Sequence, residues 1–232
     1  MTGTFINIAA VLVGSTIGLM LGARIPARLK ETIIAGMGIF LAAMGIQMFL
    51  KTVNPLLVLG ALLIGTLLGE WWRIEDGIHR LGEFLEQRFS AREDDRTSTF
   101  VRGFMTASLL FCVGPVAILG SIQDGLTGDY SLLAVKSVLD GFASIGFAST
   151  LGIGVAISSL MLLVSQGTIS LMSAQLDAIV TASMMNELTA TGGVLLIGIG
   201  ISNLLEIKKI RVGNMLPALL VAPVIVWVLS LF

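Results

Sequence analysis

The chain has 232 residues, of which 55% are apolar and only 12% charged, about half the charged share of a soluble domain. A single cysteine, Cys112, excludes an internal disulfide, and a single histidine, His79, excludes a histidine-built metal centre. The net charge of −1 says little about partners, because charge is sorted along the chain rather than spread over it; the composition predicts an all-α polytopic membrane protein whose first partner is the lipid bilayer.

The first apolar run, residues 4–22, has no basic segment before it and no small-residue cleavage site after it, so it reads as a span and not as a removable signal. Runs at 32–50 and 55–72 follow, with Pro55 suited to the first turn of a helix and Trp71 and Trp72 suited to the membrane interface. Residues 73–99 then carry many charges of both signs. Ile74, Ile78, Leu81, Leu85 and Phe89 recur at helical spacing, and Asp76–Arg80 forms an i,i+4 pair. This segment reads as an amphipathic helix on the membrane surface followed by a solvated linker, or equally as a short soluble helix between spans.

A fourth span is predicted over 100–119. Residues 132–172 are too long for one crossing and sufficient for two, and the last spans fall near 190–205 and 215–232. The total is about eight, with seven as the alternative. Charge favours eight: with the N-terminus outside, the clusters Arg24/Arg28/Lys30, Arg73 to Arg102 and Lys208/Lys209/Arg211 all face the cytoplasm. That puts twelve of the fourteen basic residues inside, with Lys51 outside. The acidic links Asp124/Asp129 and Asp177/Glu187 then fall outside. The turn near Ser149–Gly152 would be very short.

The segment "GIFLAAMGIQMFL" (38–50) matches "GVLLIGIGISNLL" (193–205) at five of thirteen positions without a gap, and a proline-containing span follows each, at Pro55 and Pro217. With eight spans this pattern predicts inverted three-helix repeats around a broken central helix, a recurrent transporter design. The corresponding division is a three-helix unit over 1–72, the cytoplasmic segment 73–99, a central region over 100–148 and a second three-helix unit over 149–232.

The stretch "CVGPVAILGSIQDGLTGDY" (112–130) carries the chemistry. Gly114-Pro115 weakens the fourth helix, and Gly120, Gly125 and Gly128 let the backbone leave helical geometry. Irregular backbone at membrane depth survives only when buried in protein or facing a wet cavity. Asp124 stands beside it, and the next span adds Lys136 and Asp140, which share a helix face. Each ionisable residue inside a span costs at least about 2.5 kcal/mol by insertion scales, and such residues pair or line a pathway. Gln123, Ser137 and Ser144 add neutral polar groups nearby. Three bland readings stand beside these: Asp124 and Asp129 in a plain outer loop, Lys136 snorkelling to the interface, and Asn7, Gln47 and Asn203 bonding across helices. Gly14, Gly18 and Gly22 form one stripe, either an internal seam or the face of a homodimer.

No hydrolase elbow, nucleotide-binding loop or dinucleotide fingerprint appears, so neither an enzyme nor a cofactor is expected, and no nucleic-acid partner. Residues 108–155, the start "GTFINIAAVLVGSTIGLMLG" and the link "GEWWRIEDGIHRLG" resemble the domain of unknown function 554 family of YqgA-like bacterial inner-membrane proteins. That resemblance implies a multi-pass protein of the bacterial inner membrane, of a kind described as a transporter candidate, with no substrate to carry over. Two functions follow as expectations. One is a secondary transporter or channel for a small solute or ion, using Asp124, Lys136, Asp140, Gln123, Ser137, Ser144, Asn7 and Asn203. The other is a non-transporting scaffold or sensor that engages a cytoplasmic partner through residues 73–99.

Overall fold

A computed structural model describes residues 1–89, 97–112 and 115–231. Gly114, at the weak point of the fourth span, and residues 90–96 of the expected linker lie outside the described residues. The described elements are helical: α1 (Thr2–Gly22), α2 (Ala27–Phe49), α3 (Pro55–Trp72), α4 (Ile74–Phe89), α5 (Thr97–Cys112), α6 (Pro115–Thr127), α7 (Ser131–Leu151), α8 (Gly154–Ile157), α9 (Ser159–Leu171), α10 (Ser173–Asp177), α11 (Ala182–Ile199) and α12 (Ala218–Leu229). A π-helical turn over Gly200–Leu204 extends α11, and a 3₁₀ turn over Val212–Met215 leads into α12.

Among the described residues seven helices are long and apolar enough to cross a membrane, or eight if α5 and α6, a pair bent by 61°, form one span. Local chemistry explains several boundaries. Asn54 caps α3 by accepting from the Leu56 N–H at 3.1 Å, with Pro55 at the first helical position. Thr181 caps α11 through the Met184 N–H at 3.3 Å. Gly152 ends α7 at φ +80°, a conformation that glycine adopts at least cost.

Some sequence expectations are displaced. Helix α2 begins at Ala27 rather than near 32, α11 begins at Ala182 rather than near 190, and the fourth span extends through α6 to Thr127. Asp124 and Glu187, expected in outer links, are helical and buried, each 2% exposed. The reason is common to all: polar residues near a membrane face continue a helix because unpaired backbone there costs more than an unfavourable side chain.

The chain divides into two compact units, each built from separated stretches: residues 1–34 with 79–179, and residues 35–78 with 180–232. In the first unit α1 and α7 run parallel at backbone contact. A Cβ added to Gly14, Gly18 or Gly22 would lie 2.2–2.4 Å from the carbonyl oxygens of Gly141, Ile145 and Ser149. The glycine stripe is therefore an internal seam, of the small-residue kind that membrane helices use for close approach.

The bent pair α5–α6 runs the length of α7 in the opposite sense. Gly103 packs on Leu151 near one end of α7, and Gly120 packs on Leu133 near the other. The same pair runs parallel to α8 and α9: Gly154 meets the Phe100 carbonyl, the Ser165 hydroxyl donates to Cys112 Sγ at 3.1 Å, and Gly125 meets the Ser170 carbonyl. Two parallel spans need an odd number of crossings between them. Helices α2 and α3 supply two, and counting the bent pair α5–α6 as a third crossing agrees with a total of eight.

The second unit leads to the same count. There α2 and α11 are antiparallel, with Gly45 and Gly193 each against the other's carbonyl and Gly200 against that of Gly38. An even span opposite in direction to α11 makes α11 the seventh, not the sixth. Helices α3 and α12 are also antiparallel, through Gly65 on Ala218 and Gly69 on Asn214. Two buried glutamates fasten the links. Glu187 accepts from the Thr52 hydroxyl (2.6 Å) and the Val53 N–H (3.0 Å). Glu75 accepts from the Gly213 N–H (2.7 Å), while its own N–H donates to Asn214 Oδ1 (2.7 Å). Each carboxylate satisfies backbone donors of a turn that has no ladder of its own.

Candidate functional site

The polar residues inside the spans collect mainly in the first unit. Asp140, tenth of the twenty-one residues of α7, stands near its middle. Its carboxylate is buried; it pairs with the Lys136 ammonium one turn earlier on the same helix and accepts from the Asn7 side-chain amide of α1 at 3.0 Å. The Lys136 nitrogen also lies 5.9 Å from the centre of the Phe111 ring on α5, within cation–π range. Lys136 is 8% exposed, so it does not snorkel to the interface. A buried ion pair in a membrane is weak evidence of stability, since a hydrophobic pair of the same volume does as well or better.

Asp124, on α6, faces α1. Its Oδ2 accepts from the Gly3 N–H at 3.0 Å, and the Met1 amino nitrogen lies 3.1 Å from the same oxygen. Its Oδ1 has no hydrogen-bond partner. The same is true of Asn7 Oδ1 and Thr4 Oγ1 on α1, and of Gln166 (both amide atoms) and Ser170 Oγ on α9. All five of these residues are at most 4% exposed.

The other sequence candidates sit differently. Gln123 is half-buried and donates to Asp129 at 2.8 Å, toward the rim. Ser137 and Ser144 donate to carbonyls of their own helix, those of Leu133 (2.6 Å) and Gly141 (2.7 Å), so their hydroxyls are satisfied locally. Asn203 lies in the π-helical turn that extends α11, in the second unit. Thr4, Gln166, Ser170 and Phe111 were not singled out by the sequence. Gln166 carried the same signal as Asn7, a lone amide in an apolar run, and that signal was available in "LMLLVSQGTISL" (160–171).

Among the described residues no three His, Cys, Asp or Glu side chains converge as metal ligands would. The site is a set of oxygens with one lysine, within one bundle. Such a fold and such a cluster define the class: an all-α, multi-pass integral membrane protein with ionisable groups held at membrane depth. Within it, the chain belongs to the family described as "Protein of unknown function (DUF554)", whose match spans residues 2–227. It is 36% identical over 222 residues to the uncharacterized protein YqgA of Escherichia coli K12, covering 95% of this chain and 94% of the relative. It is 34% identical over 236 residues to the uncharacterized membrane protein YdfK of Bacillus subtilis 168, covering 100% and 98%. No solved structure matches.

Proposed function

We propose that this protein is a secondary transporter or channel for a small solute or ion, non-enzymatic, with its polar site where α1, α7 and the bent α5–α6 span meet. The observation that carries the reading is the buried group of Lys136, Asp140 and Asn7, near the centre of a span and beside an interrupted helix. Charges at that depth are costly and are retained where they bind or relay something. An interrupted helix adds backbone groups able to coordinate an ion.

The packing supports an inverted repeat. Gly38 and Gly45 align in sequence with Gly193 and Gly200, and the seam pairs Gly45 with Gly193 and Gly38 with Gly200. These are the reciprocal pairs a twofold axis through the seam would produce. In the first unit the parallel pair α1 and α7 has a counterpart in α9 and α5–α6, as expected if spans one and six, and four and five, exchange. The distribution of arginine and lysine supports a bacterial inner-membrane orientation with the N-terminus outside and residues 73–99 in the cytoplasm.

The test is flux in proteoliposomes, read with radiolabelled sodium or rubidium and with a pH-sensitive dye trapped inside. Wild type should move at least one of these probes faster than empty vesicles, and Asp140→Asn should fall to the empty-vesicle level in vesicles that hold an equal amount of folded protein. Equal flux from wild type and Asp140→Asn would refute the role of this site.

A further inference from the structure

We infer that Thr4, Asn7, Asp124, Gln166 and Ser170 form a binding site for a monovalent alkali cation between α1, α6 and α9, separate from the Lys136–Asp140 pair. The proposal deepens the transporter reading by naming the ion class and rests on that reading only for its role in flux.

The three helices meet beside these residues, through their sequence neighbours. Gly3, beside Thr4, donates its N–H to Asp124 at 3.0 Å. A Cβ on Gly125, beside Asp124, would lie 2.2 Å from the Ser170 carbonyl, and one on Gly167, beside Gln166, would lie 3.3 Å from the Met1 side chain. Thr4 and Asn7 are three apart on α1, and Gln166 and Ser170 four apart on α9, so each pair shares a helix face.

Each residue brings an oxygen that has no donor: Thr4 Oγ1, Asn7 Oδ1, Asp124 Oδ1, Gln166 Oε1 and Ser170 Oγ. Buried polar atoms are nearly always satisfied; Ser15 Oγ, Ser108 Oγ and Thr191 Oγ1 also lack partners, but only among these five does a carboxylate oxygen stand with side-chain amide oxygens. Oxygen ligands without thiolate or imidazole select a hard cation. Asp124 is the one carboxylate among neutral oxygens, and its charge is shared with the Met1 amino nitrogen 3.1 Å from Oδ2; so little negative charge suits at most a monovalent ion, whereas calcium and magnesium sites draw on more acidic groups or phosphates. Asn7 belongs to both groups: its amide nitrogen donates to Asp140 while its buried oxygen has no hydrogen-bond partner. Occupancy of one site would therefore bear on the geometry of the other.

The experiment is a thermal melt of the purified full chain in detergent, in sodium, potassium or choline chloride at equal ionic strength. Sodium or potassium, against choline, should raise the Tm of wild type, by about 5 °C at a hundredfold excess over Kd. Asp124→Asn and the milder Ser170→Ala and Gln166→Leu should lose or weaken that rise, and Gln123→Ala, at the rim, should keep it. If Asp124→Asn fails to fold, Ser170→Ala and Gln166→Leu decide. A wild-type Tm indifferent to the cation, or variants that respond as wild type does, would overturn the site. Flux with no cation effect on Tm would leave the transporter reading standing without this site, and a cation effect without flux would do the reverse.

Discussion

Lys136 and Asp140 are held together in a place where neither is tolerable alone. Their closeness, the Asn7 amide and the Phe111 ring together compensate for lost hydration. Lys136→Met should therefore destabilise the protein by about 3–5 kcal/mol, the cost of leaving one member of a buried pair uncompensated. The double variant Lys136→Met/Asp140→Leu should recover most of that loss while remaining inactive in flux. The check is a double-mutant cycle by thermal or denaturant unfolding in detergent, and additive losses would show that the two charges do not act as a pair. Asp140 was legible in the sequence because no loop could hold it at that depth. Asp124 was ambiguous there, since "QDGLTGD" also reads as two plain turns; its place in α6, its burial and the hydrogen bond from Gly3, on a helix over a hundred residues away, separate the two readings.

At the scale of elements, the seam between α1 and α7 depends on the absence of side chains. Gly18→Ala would place a methyl 2.4 Å from the Ile145 carbonyl oxygen and force the two backbones apart, whereas Gly36→Ala on α2 meets nothing within 4 Å. We expect Gly18→Ala to lower Tm by several degrees, and Gly36→Ala to be neutral or slightly stabilising because alanine is the better helix former. Equal melting of the two variants would contradict the seam. Helix α3 matched its sequence boundaries because Pro55 and the Trp pair are local signals. Helices α2 and α11 began earlier than expected because charged and polar residues at a membrane face stay helical, and Glu187 is held by partners on the α2–α3 link that no local pattern reveals. Helix α4 formed where expected, and of its apolar stripe Ile74, Ile78 and Leu85 are half-buried. Glu75 and Glu86 are buried while Leu81 and Phe84 are exposed, by 41% and 61%. Exposed apolar side chains beside Trp71 and Trp72 suit a helix lying in a lipid interface.

For the whole molecule, the direction of packing within each unit agrees with eight crossings, and we expect the α2–α3 link and the α11–α12 link on opposite faces of the membrane. In a Cys112→Ser background, an impermeant maleimide should label Lys51→Cys in intact cells and Lys209→Cys only after permeabilisation. Labelling of both from one side would restore the seven-span topology and remove the inverted repeat. Beyond topology, the account stands on water and ions reaching the polar cluster of the first unit. The most direct measurement is modification of Asn7→Cys, in the same Cys112→Ser background, by a membrane-impermeant methanethiosulfonate in oriented membranes. Asn7 is fully buried, so the account predicts slow but complete labelling, faster from one face and retarded by the transported ion. No labelling from either face would mean that the cluster is sealed core, and the transporter proposal would fall.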